Sequence, residues 1–204
     1  ERDRFPFPRF IFEEIKIRKD DVGVRDTFSQ EEYKKLTNYF KTFCVLKSCA
    51  SKLELRERNI IRNYILILAN TGLRVGELKQ LKWSDIKGYE LAKSEDGYET
   101  TLVRLIVRGE TSKVRATREI TVRGGEYFKR LKELRLADDE KGLVIPNLPY
   151  RTYQKLWYHL MEAIEIDNHR ERNLTYYSLR HYFITLMVLK RENVANIAKI
   201  TGTS

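Results

Sequence analysis

The sequence predicts an α+β fold, mainly helical, with a small antiparallel β-sheet inserted after the second or third helix. Three observations carry that prediction. Apolar residues recur at helical spacing through most of the chain, as at Ile60, Ile61, Tyr64, Ile65 and Leu68. The period drops to two in one region, where Leu102-Val103-Arg104-Leu105-Ile106-Val107-Arg108 and Arg118-Glu119-Ile120-Thr121-Val122 read as strands. Helical spacing then returns and persists, so the strands do not alternate with helices as they would in a parallel sheet.

Each element has its own signals. Residues 1–27 form an entry arm, with Pro6 and Pro8 inside RFPFPRF followed by a charged stretch. Ser29-Gln30-Glu31-Glu32 is a capping box opening a helix with Tyr33, Leu36, Phe40 and Phe43 on its apolar face. A second helix runs from about Leu53 to Asn70, and Gly72 stands where a helix C-terminal glycine would. A short helix from Val75 to Leu81 follows. The two strands pair across the polar connection Gly109 to Thr117. Three further helices are marked by Tyr127, Phe128, Leu131 and Leu134, by Leu156, Trp157, Leu160, Met161 and Ile164, and by Leu179, Tyr182, Phe183, Leu186 and Met187. Val194 to Ile200 is the last.

Composition narrows the function classes. A length of 204 residues fits one domain, and 42% hydrophobic residues suffice for a core. The longest apolar run, Tyr64 to Ala69, is far too short to span a bilayer, and no signal peptide is visible, so a cytoplasmic setting is expected. Cys44 and Cys49 exclude a disulfide scaffold; with no second pair they do not suggest zinc and read as reduced thiols. Lys plus Arg number 39 against 29 for Asp plus Glu, a net charge of +10. That balance favours a polyanionic partner, nucleic acid before an anionic membrane surface, although a basic protein can also carry such charge for solubility alone.

Three stretches place a strong cation beside unusual local structure. In Thr71-Gly72-Leu73-Arg74-Val75-Gly76-Glu77-Leu78, Arg74 projects from a tight junction between helices and Glu77 is placed to orient it; the pair also fits an ordinary surface ion pair. In Glu110-Thr111-Ser112-Lys113-Val114-Arg115, a lysine at a hairpin tip can swing into a site, or be merely solvated. In Thr175-Tyr176-Tyr177-Ser178-Leu179-Arg180-His181, Arg180 enters the first turn of an apolar helix, where a cation opposes the macrodipole unless it has a reason to be there.

These stretches carry a resemblance. TGLRVGELKQLKWSDI (71–86) resembles the first signature of the tyrosine recombinase or phage integrase family, and YSLRHYF (177–183) its second. ETSKVRATREI (110–120) resembles the family's β-hairpin segment, and NVANIAKITGTS (193–204) the stretch ahead of its nucleophile. The likeness spans roughly residues 28–204 and implies the family's catalytic-domain fold, with residues 1–27 as the end of an interdomain linker. It also implies DNA strand cleavage and rejoining through a 3′-phosphotyrosine link, with no metal and no cofactor, by a homotetramer on double-stranded DNA. By position, Arg74 and Arg180 match the two arginines that hold the scissile phosphate, and Lys113 the general acid towards the leaving 5′ oxygen. Glu77 matches the acidic support of the first arginine, and His181 a histidine read as packing or supporting.

Two positions depart from the family pattern. Tyr177 stands where histidine is usual, and a phenol donates a hydrogen bond but accepts a proton poorly near neutral pH. Thr203 stands where histidine or tryptophan is usual. The nucleophilic tyrosine is expected beyond Thr203 and has no match among the 12 tyrosines present. The 204 residues by themselves are therefore expected to be monomeric and inactive in cleavage. A relative that keeps DNA binding and has lost catalysis, acting as a regulator, is the competing expectation. Host or viral origin, target sequence and the choice among integration, excision, resolution and transposition are not legible.

Overall fold

Ser29 opens the first helix as the sequence predicts. Its hydroxyl accepts the Glu32 amide at 3.0 Å, and the Glu32 carboxylate accepts the Ser29 amide at 2.7 Å. This reciprocal box satisfies two donors that a helix start leaves orphaned. The computed structural model describes residues 26–93, 97, 99–112, 115–134 and 142–203, so the arm expected at 1–27 lies outside the described residues except for Asp26 and Thr27. Helix α1 (Gln30–Phe43) buries Leu36, Phe40 and Phe43. Arg172 fixes its entry by donating to the Asp26 and Glu32 carboxylates and to the Thr27 carbonyl.

Helix α2 (Lys52–Thr71) is the centre of the core. Ile60, Ile61, Tyr64, Ile65, Ile67 and Leu68 are all fully buried. These residues point in several directions around the axis, which a helix tolerates only when neighbours surround it. Here α4 (Gly125–Glu133), α5 (Tyr150–Ala163), α6 (Ser178–Leu189) and strand β3 (Arg118–Arg123) supply that cover. Gly72 ends α2 in the left-handed conformation, φ +64°, and α3 (Val75–Lys79) starts three residues on.

The sheet is a three-stranded antiparallel meander rather than the pair the sequence suggests. It comprises β1 (Ile86–Lys93), β2 (Glu99–Val107) and β3 (Arg118–Arg123) in the order β1-β2-β3. Opposed pairs such as Val103 with Val122 and Leu105 with Ile120 fix the β2–β3 register. Val103, Leu105, Val107, Ile120 and Val122 form the buried face. Helices α4 (Gly125–Glu133), α5 (Tyr150–Ala163), α6 (Ser178–Leu189) and α7 (Val194–Thr201) complete the described α-helices. The mainly helical α+β expectation stands, with the sheet following the third helix. Both cysteines are free thiols. No helix among the described residues is long and apolar enough to cross a membrane.

Candidate functional site

The site is built where four helix ends meet, the ends of α2 and α7 and the starts of α3 and α6. Thr71 Oγ1 donates to the Ile67 carbonyl at 2.8 Å and accepts the Leu73 amide at 3.3 Å, so the turn after α2 is held by one hydroxyl. Leu73 is fully buried and leaves Arg74 as the N-cap residue of α3. Arginine has no capping oxygen, and Glu77 supplies the bond instead: its Oε2 accepts the Arg74 amide at 2.9 Å. Its Oε1 accepts Arg74 Nη1 at 2.8 Å. Glu77 is 2% exposed, so the pair is not the surface ion pair that the spacing also allowed.

The second motif is set on an aromatic base. Tyr176 packs against Tyr64, Tyr153 and Trp157, its ring 4.4 Å from the Trp157 ring. Its hydroxyl donates to the Tyr153 carbonyl at 2.9 Å, and Trp157 Nε1 donates to the Leu174 carbonyl at 3.1 Å. Leu174 to Tyr177 is thereby fixed, and α6 starts at Ser178 with Arg180 as its third residue. The apparent conflict of Arg180 with the macrodipole is resolved by reach. Its Nη1 donates to the carbonyl of Gly72 at the end of α2, and its Nη2 to that of Thr201 at the end of α7, at 2.8 Å. A cation at helix C-termini is favourable, and the carbonyls there need donors.

Two more arginines converge on the end of α7. Arg74 Nη2 donates to the Gly202 carbonyl at 2.6 Å. Arg118, at the start of β3, forks onto Glu77, Nη1 to Oε1 at 3.1 Å and Nη2 to Oε2 at 2.8 Å. Its Nε donates to the Ile200 carbonyl at 3.1 Å. Three guanidinium charges therefore surround one carboxylate and a helix terminus. Burial opposes ionisation of Glu77, but the bonds from Arg118 and from the Arg74 amide, with the Arg118 charge, hold its carboxyl below the usual range. Arg180 is 2% exposed, and burial, then the neighbouring Arg74 charge, pushes its own pKa down. A cluster carrying a surplus of two positive charges is chemically suited to an anion that takes forked bonds.

A model of the phage integrase family matches residues 26–204. The chain belongs to that family. No match emerges among the curated proteins. Among solved structures it is similar to the XerH site-specific recombinase bound to palindromic difH substrate, with a TM-score of 0.63 and 21% identity over 89% of this chain and 47% of that one. It is similar also to the XerA recombinase, with a TM-score of 0.57 and 19% identity over 88% and 55%. The Tn1549 transposon integrase in complex with transposon right end DNA gives a TM-score of 0.61 and 16% identity over 99% and 65%. These likenesses are of fold, and this chain spans about half the length of XerH.

The phage integrase signatures can now be placed. Arg74, Glu77 and Arg180 come together, although 106 positions separate the two arginines (180 − 74). Tyr177 is the N-cap residue of α6, half-buried, with its ring edge-on to His181 at 5.0 Å, and it lines an aromatic groove of about 520 Å³ with Val75 and Lys79. Thr203 is exposed, and its Oγ1 lies 2.8 Å from Thr201 Oγ1. Lys113 lies outside the described residues; the flanking chain is pinched, with the Gly109 amide on Thr117 Oγ1 at 3.0 Å. Among the described residues no group of three or more His, Cys, Asp or Glu is set to share a metal ion. Arg118 lies in neither of the two signatures that hold Arg74 and Arg180. Its mark in the sequence is its phase with Ile120 and Val122, a charge on the apolar face of a strand.

Proposed function

We propose that this chain is the strand-cleaving and rejoining domain of a site-specific DNA recombinase or integrase, working through a 3′-phosphotyrosine intermediate. The observation that carries the reading is the surplus of positive charge where both family signatures meet, Arg74 and Arg180 beside one ionised Glu77. In this reading the two forks take the non-bridging oxygens of a scissile phosphodiester and stabilise the charge that develops on them. Lys113 protonates the leaving 5′ oxygen, Tyr177 and Thr203 donate to the phosphate in place of the usual rings, and His181 steadies Tyr177. The nucleophile is a tyrosine outside the matching positions of these 204 residues. Tyr64, Tyr153 and Tyr176 are unsuited, since burial pushes their phenols up, Tyr153 to about 12. The partner in this reading is double-stranded DNA and the active assembly a homotetramer; in support, the similar XerH recombinase is solved bound to difH substrate and the Tn1549 integrase in complex with transposon right end DNA.

A second reading has an observation of its own. Arg180 is buried with both Nη groups on backbone carbonyls, and Tyr177 replaces a ring that can accept a proton. That arrangement also suits a DNA-binding relative in which the arginines serve only structure. Incubating the full-length protein with a nicked duplex of its cognate site distinguishes the two. Strand cleavage traps a covalent adduct at a tyrosine, and Arg74→Lys, which keeps the charge and loses the fork, lowers its yield on the order of 10²–10³-fold while DNA binding persists. Tight binding with no adduct selects the regulator.

A further inference from the structure

We propose that Arg118 is a positioning residue of this site, holding Arg74 through Glu77 and, with the same guanidinium, holding the end of α7 that carries Thr203. The inference rests on the strand-cleavage reading and deepens it. Arg118 is not a third phosphate ligand. Its bonds to Glu77 Oε1, Glu77 Oε2, Ile200 O and Thr201 O occupy four of the five N–H donors of a guanidinium. Its side chain is 10% exposed, and it sits on the buried face of β3 in phase with Ile120 and Val122. What it touches are the two things that set the geometry of the phosphate site. One is the carboxylate that binds both the amide and the Nη1 of Arg74. The other is the last turn of α7, which also receives Arg74 and Arg180.

The local chain is shaped to this guanidinium. Gly202 adopts φ +65°, and a Cβ there would lie 2.8 Å from Arg118 Cζ. The backbone turn at the end of α7 therefore lies against the guanidinium itself. A lysine at position 118 keeps one charge but cannot fork onto a carboxylate and reach two carbonyls at once. Removing the fork leaves Glu77 buried with one cationic partner, free to rotate Arg74 out of line, and takes the Arg118 donor from the helix-terminal Ile200 carbonyl, while the Thr201 carbonyl keeps Arg180. The arginine of β3 thus links the first signature to the C-terminal helix, although neither signature contains it.

The test uses the full-length protein with Arg118→Lys, Glu77→Gln and the double variant. Single-turnover cleavage of the cognate nicked duplex at saturating DNA is measured beside the Kd for the same duplex. Backbone hydrogen exchange of residues 194–203 is followed in the free protein. We expect Arg118→Lys to slow cleavage on the order of 10²-fold with Kd nearly unchanged. The double variant should be no slower than the slower single, because both changes cut one linkage. Exchange in 194–203 should rise while α1 and α5 keep theirs. Cleavage by Arg118→Lys at the wild-type rate, or a double variant whose losses multiply, overturns the inference and leaves the strand-cleavage reading standing. If the wild-type protein cleaves no duplex, that reading fails instead and exchange decides: a rise confined to 194–203 upholds the hold of Arg118 on α7, and no rise overturns it.

Discussion

Two glycines four residues apart in the first signature obey different physics. Gly72 has φ +64°, and a Cβ built on it would meet the Phe183 ring at 2.3 Å. Gly76 has nothing within 4 Å of such a Cβ and lies inside α3. Gly72→Ala is expected to lower unfolding stability by about 2–4 kcal/mol, combining the left-handed penalty of an L side chain with overpacking against Phe183. Gly76→Ala is expected to be neutral or to add up to about 1 kcal/mol, since glycine weakens a helix interior. Urea unfolding of both variants checks this, and equal losses would refute the distinction. At this scale the sequence announced Gly72, Arg74, Glu77 and Arg180 through motif spacing. It did not reveal that Glu77 is buried between two guanidiniums, because Arg118 reaches it from another element. Arg118 is in phase with apolar residues of a strand, so period-two arithmetic applied to charges as well as to hydrophobic residues would have flagged it.

Among the elements, the helices were legible and the first strand was not, and the reason is burial. The stripes of α1, α2, α5 and α6 are continuous because each packs one face or more against the core. Strand β1 is mostly exposed or half-buried without alternation, its Leu91 is 77% exposed, and a register irregularity falls between Ile86 and Gly88. An outer strand with so little buried surface has no period to read, and it is specified by pairing with β2. Helix starts, in contrast, are written locally. The Ser29 box of α1 was readable because both of its bonds lie within four residues. Ser29→Ala is expected to cost about 1 kcal/mol. The Arg172 bonds to Asp26, Thr27 and Glu32 limit the damage to the first turn. Denaturation midpoint together with exchange at residues 30–33 measures it, and the rest of α1 should stay protected.

Over the whole molecule, the site exists only because the fold gathers the ends of α2 and α7 and the starts of α3, α6 and β3, and electrostatics ties that gathering to pH. Among the described residues, four carboxyls are held below their ordinary values. Asp26 is lowered by the Arg172 bond. Glu32 is lowered by Arg172 and Ser29 against the opposing effect of burial. Glu54 is lowered by the Ala50 amide and Arg58. Glu77 is lowered by Arg118 and Arg74, again against burial. A carboxyl whose folded pKa is depressed binds fewer protons folded than unfolded, so its stabilisation is present above the unfolded value, about 4, and is lost as pH falls through the folded one. His159 has the same sign by another route. Burial, then the nearby Arg58 charge, lowers its pKa, so the unfolded state takes up a proton first as pH falls through about 6.5. Stability is therefore expected to decline slightly below pH 6.5 and steeply below about pH 4.5, as read by guanidinium unfolding across a pH series. Glu77→Gln should lower stability at pH 7 by stripping the charge from a buried network, and should make the acid decline shallower because one of its titrating groups is gone. Arg118→Lys should do the same in part, letting the Glu77 carboxyl return towards its ordinary value. A parallel acid decline in wild type and Glu77→Gln would show that the carboxylate between Arg74 and Arg118 is not part of what acid destroys.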